Sequence, residues 1–310
     1  MIKITNAVKI YGKNKALSGV NLQISPGSIH GVLGPNGAGK TTLIKILSGL
    51  IDADTGEITH NGEVVDPAGK SYRRVIGLIP QEIALYGELS AYRNLVFWGG
   101  LHGISRKDLS RKADEVLKRI GLYERRDDAI STYSGGMKRR INIGAALMHE
   151  PDILFMDEPT VGIDPHSRNL IYDLIKDLNA EGMTILYTSH YLPEVEMLCD
   201  KITIVDEGRV VGEGTLEELR AGYRNLEAVR IGLKSPLNEQ MLADVVAIVA
   251  PFSVEAAERG FLIRGEGVTR RLADLISRLN VLDLNLRDID TQPVTLETVF
   301  LELTGRQLRD

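Results

Sequence analysis

Residues 34–41 read Gly34-Pro35-Asn36-Gly37-Ala38-Gly39-Lys40-Thr41, which fits the phosphate-cradling pattern G-x-x-x-x-G-K-[ST]. Before it stands Ile29-His30-Gly31-Val32-Leu33, a short apolar run that reads as a buried strand. After it, Thr42-Leu43-Ile44-Lys45-Ile46-Leu47 carries apolar residues at helical spacing. Strand, loop and helix thus come in the order that a polyphosphate site requires, a context that a chance Gly-rich turn would lack. The glycines let the backbone take left-handed angles and turn several N–H groups to one point, where the positive end of the next helix adds to them. Asn36, Gly37, Ala38, Gly39 and Thr42 are expected to line that cradle. Lys40 is expected to place a cation on the β and γ phosphates, and Thr41 a hydroxyl on Mg²⁺.

Outward from this loop, Ile153-Leu154-Phe155-Met156 is an apolar strand that runs into Asp157-Glu158-Pro159. Carboxylates at the carboxyl end of a buried parallel strand lie beside the phosphate loop, where open α/β sheets bind ligands. Asp157 is expected to hold Mg²⁺, directly or through water, and Glu158 to polarise the water attacking the γ phosphate. A solvated acidic turn is the plainer alternative. Tyr133-Ser134-Gly135-Gly136-Met137 opens a helix and alone reads as a serine N-cap with flexible glycines. Beside the other two segments, Ser134 and the Gly135 and Gly136 amides make a second anion-binding helix start. One phosphate loop and two such starts suit a two-fold dimer in which each copy grips the other's nucleotide. His190 comes directly after the strand 183–188, from whose end Nε2 can reach a γ phosphate. Gln81, at another strand end, can touch Mg²⁺ or the attacking water, and Tyr11 can stack on adenine by its ring face. Their plainer readings are a structural histidine, a turn residue and an exposed turn aromatic.

The rest of the pattern supplies the architecture. Strands are expected over 2–10 and 16–24, joined by the turn 11–15, and a hairpin over 57–60 and 63–65 turns at Asn61-Gly62. A strand over 74–79 ends at Pro80-Gln81. Helical spacing near 90–102, 105–120 and 136–149, without a strand between, reads as a helical insert over about 90–149. Strands 152–156, 183–188 and 201–206 then alternate with helices 165–180 and 191–198, which indicates a parallel sheet. After Gly222 the pattern changes to strand 226–233, helix 237–249, strands 252–256 and 260–264, helix 269–280 and strand 282–289. That is β-α-β-β-α-β, a small α+β ferredoxin-like domain over 223–310 that reads as a dimerising or regulatory module. A last helix, 295–304, carries Leu296, Val299, Phe300 and Leu303 as one apolar stripe, to be covered by its own sheet or by a partner subunit.

Taken in order, these motifs resemble the ATP-binding cassette ATPases that drive ABC transporters, over residues 1 to about 220. Gly34–Thr42 resembles Walker A, Ile153–Glu158 Walker B, Ser134-Gly135-Gly136 the family signature, Gln81 the Q-loop, Gly162-Ile163-Asp164 the D-loop and His190 the switch histidine. Tyr11 occupies the adenine-stacking position. The signature usually reads Leu-Ser-Gly-Gly-Gln; here Tyr133 and Met137 replace its outer residues and Lys138-Arg139-Arg140 come after. That variant, and the closing segment Pro293–Gly305, are similar to the daunorubicin-resistance branch of exporters. The resemblance implies a P-loop NTPase of the ABC type over 1–222, with a parallel-sheet core, an antiparallel β subdomain and the helical insert. It implies ATP and Mg²⁺ as ligands, with Asp164 among the nucleotide-binding residues and Thr41, Gln81 and Asp157 on the metal. It also implies a homodimer on a separate ABC-2-type membrane permease, with ATP closing the two copies and hydrolysis reopening them.

Composition restricts the rivals. Of 310 residues, 43% are hydrophobic and 25% charged, and the net charge of −5 argues against a general nucleic-acid binder. Cys199 stands alone, so no internal disulfide is possible; it is expected to pack as a small buried residue in a reducing compartment. No run of 18 apolar residues occurs and the N-terminus enters a strand at once. A cytoplasmic protein without direct membrane insertion, peripheral on the inner face through the permease, is therefore expected. A soluble single-cassette ATPase with a non-transport role stays open as an alternative, although no sustained heptads or second cassette are present. A GTPase reading lacks the Asn-Lys-x-Asp segment that would recognise guanine, and a non-hydrolysing module would not need Glu158 and His190.

Overall fold

The structure is a computed structural model describing residues 1–305, and these divide into two compact units, residues 1–215 and residues 216–305. In the first, β1 (Ile2–Tyr11), β2 (Asn14–Ile24), β4 (Thr55–His60) and β5 (Glu63–Val64) form an antiparallel sheet in the order β2-β1-β4-β5. A second sheet has the order β10-β9-β3-β8-β7-β6, from β3 (Ile29–Leu33), β6 (Ile76–Ile79), β7 (Ile153–Asp157), β8 (Thr184–Ser189), β9 (Lys201–Asp206) and β10 (Arg209–Gly214). All its pairings are parallel except that of β10 with β9. Every residue of β3, β7 and β8 is buried, as strands covered on both faces must be.

One face of this sheet presents Val32, Phe155 and Leu186 to the antiparallel sheet and to Leu43, Ile44 and Leu47 of α1 (Lys40–Leu47). The other presents Leu154, Ile185 and Tyr187 to α3 (Ala91–Leu101), α4 (Arg106–Arg119), α5 (Gly135–Leu147) and α6 (Pro165–Ala180). Serine side chains cap α3, α4 and α5 from Ser90, Ser105 and Ser134, accepting the third helical N–H in each case. The register of the parallel strands positions the site. Leu33 pairs with Ser189, and Asp157 with Thr188, so the carboxyl ends of β3, β7 and β8 lie level. The phosphate loop, Glu158 and His190 all leave the sheet at that one edge.

The second unit pairs β11 (Ala228–Leu233), β12 (Ser253–Ala257), β13 (Gly260–Arg264) and β14 (Leu286–Gln292) in the order β12-β13-β11-β14, antiparallel throughout. Residues Val245, Val249, Leu275 and Leu279 of α9 (Glu239–Val249) and α10 (Leu272–Leu279) pack on Val229, Ile231, Phe261 and Ile263. The closing helix α11 (Leu296–Thr304) starts at a reciprocal cap between Thr295 and Thr298 and ends at Gly305, whose φ is +65°.

Several elements differ from the sequence reading. The expected strand 74–79 begins only at Ile76, because Arg74 and Val75 close a short helix, α2 (Lys70–Val75), that buries Tyr72. The expected strand 282–289 is shifted to β14, since a 3-10 turn over Asn280–Leu282 and a left-handed Asp283 at φ +47° come first. The helices α7 (Leu192–Leu198) and α8 (Leu216–Ala221) are short, and β10 has no counterpart in the sequence reading. The first unit ends at Thr215 rather than Gly222, because α8 packs with α11. On α11 itself, Leu296, Val299 and Phe300 are fully buried within the chain, so that stripe is not an open face for a partner subunit.

Candidate nucleotide site

The loop 34–41 turns at the end of β3 into α1, with Gly39 in the N-cap position at φ +108°. A Cβ there would sit 2.5 Å from Ala16 O, so glycine is required by angle and by space alike. Of the amides from Asn36 to Thr42, only that of Ala38 donates to a protein acceptor among the described residues, Pro35 O at 3.1 Å. The others, gathered in one turn of chain, have no protein acceptor of their own there. That is the donor set of a phosphate nest at a helix N-terminus. They line a cleft of about 580 Å³ together with Tyr11, Asn14, Ala16, Lys40, Thr41, Thr42, Gln81, Glu158, Val161 and His190.

Lys40 Nζ donates to Gly34 O at 2.7 Å and Pro35 O at 3.2 Å, and lies 3.1 Å from Glu158 Oε1. Both side chains are buried, 4% and 6% exposed, so the charges face one another across little solvent. The other carboxylate oxygen, Oε2, accepts from Gln81 Nε2 at 3.4 Å and stands 3.1 Å from His190 Nδ1. That last contact is close enough for an ion pair but is not aligned as a hydrogen bond. Glu158 is itself left-handed, φ +46°, an angle a non-glycine residue rarely holds. Its N–H donates to Thr188 Oγ1 at 3.1 Å and Thr188 O at 3.2 Å, which fixes it there.

Thr188 Oγ1 also donates to Asp157 Oδ1 at 2.8 Å, while Oδ2 of that buried carboxylate has no hydrogen bond among the described residues. Thr41, half-buried in the same cleft, supplies a hydroxyl. Asp157 is not part of the cleft lining; a carboxylate oxygen and a hydroxyl are the oxygen donors that Mg²⁺ takes, in small number, with phosphate oxygens and water completing its shell. No cluster of three or more His, Cys, Asp or Glu side chains suited to a metal occurs among the described residues, so an all-protein cage is not the arrangement here.

Ser134, Gly135 and Asp164 do not line this cleft. Ser134 and Gly135 are exposed at the start of α5, and Ser134 Oγ accepts from Met137 N at 3.3 Å. A Cβ on Gly136 would fall 2.2 Å from Ser167 Cβ, so only glycine lets α5 and α6 approach there. Asp164 caps α6, accepting from Ser167 N at 2.9 Å, and that bond lowers its pKa below the usual carboxylate value. These residues are brought together with one another through Ser167, but not with Lys40.

Sequence reasoning missed the scaffold behind His190. The carboxylate of Glu194, 3% exposed, accepts from the hydroxyls of Tyr187, Thr160 at 2.6 Å, Tyr172 at 3.3 Å and Ser189 at 3.1 Å. Ser189 Oγ in turn accepts from Tyr191 N at 2.9 Å, so the residues on both sides of His190 are held. Burial, with the Glu194 charge beside it, pushes the Tyr187 phenol well above its usual pKa and keeps it a donor. Tyr187 and Ser189 stand on one strand, but Thr160 and Tyr172 come from elsewhere in the chain, and no local spacing signals the cage. The thiol of Cys199 is packed against the core, and burial raises its pKa.

Residues 17–161 match the family model described as ABC transporter. The chain is 44% identical over 312 residues to the linearmycin resistance ATP-binding protein LnrL of Bacillus subtilis (strain 168), covering all of both chains. It is 37% identical to the daunorubicin resistance ATP-binding protein DrrA3 of Streptomyces coeruleorubidus, over 99% of this chain and 97% of that one. Among solved structures it is similar to a dimeric ATP-binding cassette in a post-hydrolysis state bound to ADP and Pi. The TM-score there is 0.64, at 28% identity, over 70% of this chain and 99% of the other.

Proposed function

The chain belongs to the ABC transporter family, and we propose that it powers drug efflux as a homodimer bound to a separate ABC-2-type membrane permease. Such a subunit hydrolyses ATP to ADP and phosphate. The observation that carries the reading is the convergence on Glu158, a buried carboxylate facing the Lys40 ammonium, the Gln81 amide and the His190 imidazole at the mouth of the cleft. A γ phosphate in the nest draws Lys40 to itself and releases Glu158 Oε1. That oxygen then accepts the proton of a water held in line with the phosphorus, while Gln81 orients the water and His190 faces the charge that develops. Tyr11, half-exposed at the rim, offers its ring to the adenine. Thr41, Asp157 and Gln81 would hold Mg²⁺, whose charge offsets that of the β and γ phosphates.

Ser134, Gly135, Gly136 and Asp164 serve the nucleotide of a second copy in this reading. Their absence from the lining of the chain's own cleft, and the exposure of Ser134, Gly135 and Asp164, support it. The permease is read as docking beside the Q-loop, where Ile83, Tyr86, Phe97 and Leu101 are exposed and the Tyr86 and Phe97 rings meet edge to face at 4.9 Å. No helix of the described residues is long and apolar enough to cross a membrane, which fits a subunit held at the inner face by that partner. The unit from Leu216 onward is read as the dimerising or regulatory module; its sheet carries the ion pairs Arg230–Asp288 and Arg264–Glu255 at the surface. The names of the relatives favour a drug as cargo over the alternative of a non-transport ATPase. A linearmycin- or daunorubicin-sensitive host carrying this chain with its permease should become resistant, and Lys40→Ala should abolish that resistance. A chain that confers no resistance but hydrolyses ATP would point to a different cargo.

A further inference from the structure

We propose that Arg139 is a positioning residue for Gln81, its guanidinium holding the Pro80–Gln81 main chain so that the Gln81 amide stays within reach of Glu158. Arg139 is 4% exposed, yet it makes no ion pair among the described residues. Its Nη1 donates to Pro80 O at 2.8 Å and its Nη2 to Gln81 O at 2.6 Å, one fork on two successive carbonyls. Burying a guanidinium is costly enough to favour an apolar side chain there unless the contacts it makes are used. Both bonds are charge-assisted, and burial lowers the Arg139 pKa without removing its charge.

A second buried residue on the same face of α5 extends the grip. Asn142 Oδ1, one turn on, accepts from Ala84 N at 3.2 Å. Two side chains of one helix thereby hold residues 80–84, of which Gln81, Glu82 and Ile83 are otherwise exposed. The bond they protect is a weak one: Gln81 Nε2 reaches Glu158 Oε2 at 3.4 Å, and a small backbone displacement would lose it. The helix that carries the clamp is the one that begins at Ser134, so α5 joins the helix start offered to a second copy with the glutamine of its own site. The inference rests on the reading of Gln81 as a member of the hydrolytic site.

A double-mutant cycle on the purified full-length chain tests it, with kcat and KM for ATP measured for Gln81→Ala, Arg139→Lys and both together. Lysine keeps the charge but replaces the rigid planar fork with a single point donor on a flexible stem. Each single change should lower kcat about tenfold with KM within about twofold, and the double variant should be no slower than Gln81→Ala alone. Losses that multiply, a silent Arg139→Lys, or a rise in KM alone would each overturn the clamp. A silent Gln81→Ala would overturn the place of Gln81 in the site and the clamp with it, whereas multiplying losses leave Gln81 in place. Should Arg139→Lys not fold, judged by its thermal unfolding, Arg139→Gln enters the same cycle with the same criteria.

Discussion

Lys40 Nζ stands 3.1 Å from Glu158 Oε1, so the buried ammonium and the buried carboxylate neutralise one another. Each is then the partner that makes the other's burial tolerable. Removing the ammonium alone, as in Lys40→Met, leaves a buried carboxylate without its lysine partner. It should destabilise the nucleotide-free protein by about 3–5 kcal/mol, read as a lower urea midpoint. Lys40→Met combined with Glu158→Gln should recover a large part of that loss. A double variant no more stable than Lys40→Met would remove the ion pair from the account.

A site shared between two copies predicts complementation. Lys40→Ala subunits lack the loop cation and Ser134→Arg subunits block the helix start, and neither should hydrolyse ATP alone. Mixed, they form dimers with one intact composite site, so about half the wild-type rate per mixed dimer is expected. The check is ATPase activity across a titration of one variant into the other; activity that never returns would make the site a single-chain one.

The edge-to-face pair of Tyr86 and Phe97, with Leu101 64% exposed near by, is an apolar surface left open beside the Q-loop. Leu101→Glu and Tyr86→Glu should abolish transport in vesicles while basal ATPase survives within about twofold, since neither lines the nucleotide cleft. Transport that persists in both variants would move the docking surface elsewhere.

Acid should weaken the fold through buried imidazoles. Burial depresses the pKa of His30, whose Nε2 lies 2.8 Å from Thr203 Oγ1, and of His149, whose Nε2 donates to Ile76 O, from 6.5 to about 4 in each. The unfolded chain then binds more protons than the folded one between those values. No penalty exists above pH 6.5, and it grows as pH falls from 6.5 to about 4. Urea midpoints measured across that window should fall with pH, and His30→Gln should flatten the slope. An unchanged slope would mean that His30 is not a source of the acid sensitivity.

Much of the site was legible because it is local. Gly34–Thr41 names its own conformation, and Asp157, Glu158 and His190 each stand at or just past the end of an apolar strand, so strand order alone brings them level. The parts that escaped depend on residues far apart in sequence. The Glu194 hydroxyl cage joins Thr160 and Tyr172 to Tyr187 and Ser189 of β8, and the Arg139 fork spans from α5 to Pro80 and Gln81. Element ends failed where short helices intruded. The stretch Lys70–Val75 is too short for helical periodicity to show, and Asp283 takes a left-handed angle that aspartate tolerates but that no glycine or proline beside it marks as a turn. The apolar stripe of α11 fitted either a sheet or a partner by pattern; the helix packs instead with α8, which is too short to show in the sequence.

In the proposed reaction Glu158 takes the proton of the attacking water. Steady-state ATP hydrolysis by purified Glu158→Gln protein tests it most directly, because the amide keeps the shape of the side chain and loses the base. Turnover should fall by about 10²–10⁴-fold with ATP still bound and the dimer held closed, seen by light scattering only when ATP is present. Turnover equal to that of the wild type would contradict it.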